Sequence, residues 1–131
     1  MTQLRTIMYV DDEPHIRELV EMALSLSAEL TVHSCESGVR ALAAMVQVQP
    51  DLVLLDVMMP EMDGPAVLKA MRADPRLASI PVAFMTARAM PGEVQELLDS
   101  GAVGVIPKPF DPMTLARQVA SLWEVLPHGA A

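Results

Sequence analysis

The sequence predicts an α/β fold: a single doubly wound (βα)5 domain, its five-stranded parallel sheet covered by helices on both faces. Three observations predict it. Five strand-length apolar segments, at residues 7–10, 30–35, 52–55, 80–85 and 103–106, recur along the chain. Segments with helical spacing of apolar residues lie after each of them, and short alternating connections imply right-handed crossovers between parallel strands. The length of 131 residues with 52% hydrophobic content suits one domain with one core, spanning about residues 5–125.

Residues 7–10 form a short buried strand. Pro14 fits the first turn of the next helix, where its missing N–H costs nothing. Ile16, Leu19, Val20, Ala23 and Leu24 then mark one helical face. Residues 30–35 alternate, as a more exposed strand does. Ser37 caps a helix that runs through Leu42 and Met45 and ends before Pro50. Residues 52–55 are continuously apolar, as expected of a strand buried on both faces. Residues 60–64 carry turn chemistry, and Val67, Leu68 and Met71 form a helical stripe closed by Asp74-Pro75. Residues 80–85 are the fourth strand; residues 93–100 form a short helix stopped by Gly101. After the fifth strand, residues 112–126 make the last helix, with Leu115, Val119, Leu122 and Leu126 on one face. Residues 127–131 are expected to be a frayed tail.

Composition excludes several classes. No apolar run approaches the roughly 18–20 residues of a membrane span, and the N-terminus lacks a signal-peptide pattern. A net charge of −8 with scattered basic residues argues against nucleic acid. Cys35 is the lone cysteine, which precludes an internal disulfide and points to a reducing, cytoplasmic setting. The eleven methionines read mainly as soft core filler.

Four polar signals end four of the apolar runs: Asp11-Asp12, Asp56, Thr86 and Lys108. In a parallel sheet these ends share one edge, where open α/β sheets place ligands. Clustered carboxylates repel and call for a proton or a cation. Few hard oxygen ligands with room for water suit Mg2+ or Mn2+. Asp56 is the candidate nucleophile, because a carboxylate can attack phosphorus to give an acyl phosphate. That step needs its phosphoryl oxygens neutralised, which the metal and Lys108 could do, while Thr86 could hydrogen-bond one of them. Ala87 is small and leaves room for the group. Taken singly, each signal has a plainer reading: Asp11-Asp12 as a helix cap, Thr86 as a strand former or cap, Lys108 as a solvated loop charge. His15 reads as a solvated or docking residue, and His33 and His128 show no ligand spacing.

The motifs Val10-Asp11-Asp12-Glu13-Pro14, Leu55-Asp56-Val57-Met58-Met59-Pro60-Glu61-Met62-Asp63-Gly64, Met85-Thr86-Ala87 and Lys108-Pro109-Phe110 resemble, in order and spacing, the CheY-like receiver domain of bacterial two-component response regulators. The resemblance implies a flavodoxin-like sheet of order 2-1-3-4-5. It implies that Asp56 takes a phosphoryl group from a histidine kinase or a phosphotransfer histidine. Asp12 would bind Mg2+ directly and Asp11 mainly through water, with the backbone carbonyl of Met58 as a further ligand. Thr86 would follow the phosphoryl group and carry the switch, Lys108 would pair with its oxygens, and Lys108–Pro109 would be cis. Met58 and Arg88 would flank the pocket and tune hydrolysis. His15 and Ile16 on the first helix would lie where the kinase docks, and a protein target would meet the face of the fourth helix, fifth strand and fifth helix. The expected state is a monomer or a weak phosphorylation-dependent dimer.

Two positions depart from the pattern. Val105 stands where many receivers carry Tyr or Phe, and it has no ring to swing. Pro107 removes a donor just before Lys108. The expectation is a stand-alone receiver, with a receiver cut from a longer regulator as the alternative. An aspartyl-phosphate phosphatase would want an acid where Met58 stands. A flavodoxin-type cofactor module would want a phosphate-cradling loop after the first strand, where Asp11-Asp12-Glu13 would repel phosphate. A docking-only receiver would have no use for the complete acid, Thr and Lys set.

Overall fold

A computed structural model describes residues 3–126. Five strands alternate with five helices: β1 (Thr6–Val10), α1 (Pro14–Ser25), β2 (Thr31–Cys35), α2 (Gly38–Val48), β3 (Leu52–Asp56), α3 (Gly64–Ala73), β4 (Val82–Thr86), α4 (Pro91–Asp99), β5 (Gly104–Pro107) and α5 (Leu115–Glu124). The strands form one parallel sheet of order β2-β1-β3-β4-β5. The chain winds outward from β1 to β2, then returns past β1 to β3. The connections leaving β1 and β3 therefore diverge, and a crevice opens at their carboxyl ends.

Strand alternation splits the core into two layers. Met8, Val10, Val53, Leu55, Val82 and Phe84 face α2 and α3, where they meet Ala41, Met45, Val67, Leu68 and Met71. Ile7, Tyr9, Leu52, Leu54, Ala83 and Met85 face α1 and α5, against Val20, Ala23, Leu24, Leu115 and Val119. β3 and β4 are buried along their whole length, which is why they read as unbroken apolar runs. β2 is an edge strand and keeps the alternation of a half-exposed one. No described helix is long and apolar enough to cross a membrane.

Helix starts follow local chemistry. The Ser37 hydroxyl accepts from Arg40 N–H at 3.2 Å, and Asp63 accepts from Ala66 N–H at 2.9 Å. α4 begins at Pro91, two residues before the expected start, because proline suits the opening turn of a helix. α5 begins at Leu115, not at residue 112. Asp111 accepts from Met113 N–H at 2.9 Å, and residues 111–114 close a turn first. α5 ends at Glu124, so Leu126 lies past the helix, half-buried. β4 starts at Val82, since Ile80 N–H instead closes a turn onto Leu77 O at 3.1 Å. Gly101 ends α4 with φ 113°, in the left-handed region expected of that stop. His128 and the expected tail at 127–131 lie outside the described residues.

Two glycines mark close approaches of very different stiffness. A Cβ on Gly64 would sit 2.5 Å from the Asp56 carbonyl oxygen and 2.9 Å from the Phe84 ring. A Cβ on Gly104 would meet Leu122 Cδ2 at 2.5 Å, the far end of a half-buried flexible side chain. Gly64→Ala is expected to cost about 2–3 kcal/mol in urea denaturation, and Gly104→Ala clearly less, about 1 kcal/mol. Equal losses would show that the Gly64 contact is no stiffer than the Gly104 one.

Candidate functional site

Asp11 follows β1, Asp56 ends β3, Thr86 ends β4 and Lys108 follows β5, so all four stand at the carboxyl edge. Pairing is tight there: Asp11 N–H donates to Cys35 O at 3.1 Å, Val57 N–H to Met85 O at 3.2 Å and Lys108 N–H to Thr86 O at 2.8 Å. The Lys108–Pro109 bond is cis.

Lys108 Nζ lies 2.9 Å from Asp11 Oδ2 and 3.2 Å from Asp56 Oδ1, bridging the two buried carboxylates. Asp12 completes the acidic group. One carboxylate oxygen from each of Asp11, Asp12 and Asp56 lies within 4.8 Å of the others. Asp11 is 1% exposed and Asp56 8%, whereas Asp12 faces solvent. Two further donors reach the Asp11 carboxylate. Tyr9 Oη donates to Oδ2 at 2.5 Å, and Glu13 N–H donates to Oδ1 at 3.0 Å. Arg17 Nη1 donates to the Asp11 carbonyl at 2.8 Å, fixing the loop itself.

These contacts push the two buried acids in opposite directions. Burial raises the Asp56 carboxyl above its ordinary value, the Asp11 charge adds to this, and Lys108 only partly opposes it. For Asp11, burial is the largest influence and acts upward. Hydrogen bonds from Tyr9, Lys108 and Glu13 N–H, with the Lys108 charge, together outweigh it and leave Asp11 low. Tyr9 is held well above the usual phenol range by burial, then by its bond to Asp11, and stays a neutral donor.

Three carboxylates and one ammonium leave an excess of negative charge in a nearly dry corner. All of its donor atoms are hard oxygens, and one acid is open to water. That set fits a divalent cation such as Mg2+ or Mn2+.

The remaining residues of interest surround this group. Thr86 is buried, and its hydroxyl accepts from Arg88 N–H at 2.9 Å, turned toward its own loop. Ala87 and Arg88 are exposed on that loop. The Met58 side chain, 64% exposed, lines a cavity of about 210 Å³ with Thr86, Arg88, Glu93 and Glu96. Val105 is half-buried, pairs with Phe84 across the sheet and packs on the α2–α3 side. Sequence reasoning missed Tyr9 and Arg17. Tyr9 had a signal: it stands two residues before Asp11 in a strand, hence on the same face, with the one polar atom in that run.

The geometry defines an α/β domain with an acidic, lysine-bridged cluster at the switch point of its sheet, its donor set one that fits a divalent cation. Residues 7–120 match the response regulator receiver domain, and the chain belongs to that family. It is 39% identical over 119 residues to the DNA-binding dual master transcriptional regulator RpaA of Synechocystis, covering 88% of this chain and 48% of that protein. It is 40% identical over 111 residues to the regulatory protein AtoC of Escherichia coli, covering 85% of this chain and 23% of that one. The chain spans about half or less of the length of these curated relatives. Among solved structures it is similar to the chemotaxis response regulator CheY4 of Vibrio cholerae, with a TM-score of 0.83 and 31% identity over 92% of this chain and 99% of that one. Receiver domains are signalling modules that work with histidine kinases or phosphotransfer proteins and typically bind Mg2+ in an acidic pocket.

The Asp56 environment has a consequence for stability. Its folded carboxyl binds a proton more tightly than the unfolded one. Its contribution therefore turns unfavourable as pH rises out of the acid range through the folded pKa. Asp56→Asn should raise the melting temperature of the metal-free protein at neutral pH. It should also remove that part of the pH dependence. A variant that melts below the wild type would contradict the assignment of strain to Asp56.

Proposed function

We propose that the chain is a working phosphoacceptor: Asp56 takes a phosphoryl group from the histidine of a kinase or phosphotransfer protein and thereby alters the protein-binding surface. The observation that carries the reading is Lys108 Nζ held 2.9 Å from Asp11 and 3.2 Å from Asp56 within the acidic trio. A carboxylate nucleophile, a mobile ammonium and a cation site then converge on one phosphoryl position.

In the reaction Asp56 attacks phosphorus in line. The P–N bond of the phosphohistidine breaks, and the imidazole leaves as neutral histidine after taking up a proton. Asp12, Asp56, the Met58 carbonyl and, through water, Asp11 would hold Mg2+, which would supply positive charge to the phosphoryl oxygens. Lys108 transfers its contact from the carboxylates to one of those oxygens. The Thr86 hydroxyl exchanges its bond to Arg88 N–H for another, which moves the loop at 86–88. Ala87 leaves space, while Met58 and Arg88 at the mouth set access for water. Val105 has no ring to rotate inward, so the change reaches the surface through the Thr86 loop and α4. α4 fully buries no residue and packs on the core chiefly through the half-buried Leu97, so it is the more weakly anchored element.

This activity belongs to the receiver whether it acts alone or within a longer regulator such as its relatives. Self-phosphorylation and autodephosphorylation are the only chemistry assigned to it. Protein partners, and no nucleic acid, are proposed for this segment from its charge of −8. A cytoplasmic setting and a monomer or weak phosphorylation-dependent dimer complete the reading.

Intact mass after incubation with acetyl phosphate and Mg2+ tests it. One phosphoryl adduct is expected on the wild type, none on Asp56→Asn and none with EDTA. Beryllofluoride binding should depend on the same residue. An adduct that persists in Asp56→Asn would place the chemistry elsewhere. Absence of both the adduct and beryllofluoride binding would leave a docking module.

A further inference from the structure

The phenol of Tyr9 enters the acidic cluster from inside the core. Alternation along β1 places Ile7, Tyr9 and Asp11 on the α1–α5 side, so the ring lies one step beneath the carboxylate. The ring is fully buried, and its hydroxyl ends 2.5 Å from Asp11 Oδ2. That same oxygen receives Lys108 Nζ at 2.9 Å.

The donors on Asp11 differ in mobility. Glu13 N–H is backbone, and Tyr9 Oη is tied to a packed ring in a central strand. Lys108 is carried on a flexible stem and shared with Asp56. A cation among the acids, or a phosphoryl group on Asp56, competes with Asp11 for Lys108. Once the lysine leaves, Oδ2 would be a buried charged oxygen with no donor unless another were in place, at a cost that favours rotation of the carboxylate. Tyr9 is that donor.

We propose that Tyr9 is a positioning residue, holding Asp11 in its cation-binding orientation and freeing Lys108 to follow the phosphoryl group. This rests on the reading of Asp11, Asp12 and Asp56 as the cation site. Hydrogen-bond partners behind metal-site carboxylates are commonly worth about tenfold or more in metal affinity. Tyr9→Phe keeps the ring and its packing and removes only the hydroxyl.

The test is calorimetric titration of Mg2+ into the wild type, Tyr9→Phe, Asp11→Asn and the double variant. Tyr9→Phe should weaken Mg2+ binding roughly tenfold, and by less than about twofold when added to Asp11→Asn. An unchanged affinity in Tyr9→Phe, or the same loss in both backgrounds, would overturn the proposal, since a merely structural effect would not depend on Asp11. Tyr9 is the only tyrosine in the chain, so its near-ultraviolet absorption offers a second readout that needs no variant at this position. Mg2+ should perturb the tyrosine band in the wild type and leave it unmoved in Asp11→Asn. A band insensitive to Mg2+ in the wild type overturns the proposal even if Tyr9→Phe fails to fold. Mg2+ binding that depends on Tyr9, without any phosphoryl adduct, would defeat the phosphoacceptor reading alone. A normal adduct with Mg2+ affinity indifferent to Tyr9 would defeat the positioning role alone.

Discussion

Three carboxylates meet a single ammonium at the carboxyl edge of the sheet, and most of the site follows from that imbalance. Asp11 and Asp56 are nearly dry, so their mutual repulsion is poorly screened. Lys108 reaches both but cannot neutralise the trio. The protein resolves the conflict unequally. Asp11 collects fixed donors and stays ionised, while Asp56 is left with its proton affinity raised. The proposed phosphoacceptor is thus a destabilised carboxylate partnered by a lysine on a flexible stem.

The fold makes this concentration of charge possible. Parallel strands put every carboxyl end on one edge, and the winding reversal between β1 and β3 separates the loops that would otherwise cover it. Both faces of the sheet are committed to cores, which hold the strand ends in register. Beyond the cluster the side chains are less deeply buried. Thr86 is buried, but its hydroxyl is engaged only with its own loop, and α4 behind that loop fully buries no side chain, only half-burying Leu97 against the core. The rigid half of the site is thus the acid side and the adaptable half is the side of β4 and α4, a division suited to a switch.

Much of this was legible in the residues. Polar endings on apolar runs located Asp11, Asp12, Asp56, Thr86 and Lys108, because a parallel sheet converts strand ends into neighbours. Unbroken runs at β3 and β4 and alternation at β2 also separated central strands from the edge. What stayed hidden depends on reach. Tyr9 shares a face with Asp11 by alternation, but only the packed ring shows that its hydroxyl arrives at Oδ2. Arg17 is six residues from Asp11, and its role requires the exact turn of the β1–α1 loop. The starts of α4 and α5 shifted because Pro91 opens a helix while Asp111 folds a turn first, contests between neighbouring local signals that apolar periodicity does not register.

As a proposed divalent-cation site, the acidic trio would have its repulsion relieved by the ion. The most direct measurement is melting temperature against Mg2+ concentration for the wild type and for Asp12→Asn, at constant ionic strength. Binding to the folded state alone should raise the wild-type melting temperature in proportion to the logarithm of Mg2+ above the dissociation constant, by about 2.7 kcal/mol of stability at a hundredfold excess. Asp12→Asn should show a much flatter line. A wild-type melting temperature indifferent to Mg2+, or an equal rise in both proteins, would contradict the claim and leave Lys108 as the trio's sole counter-charge.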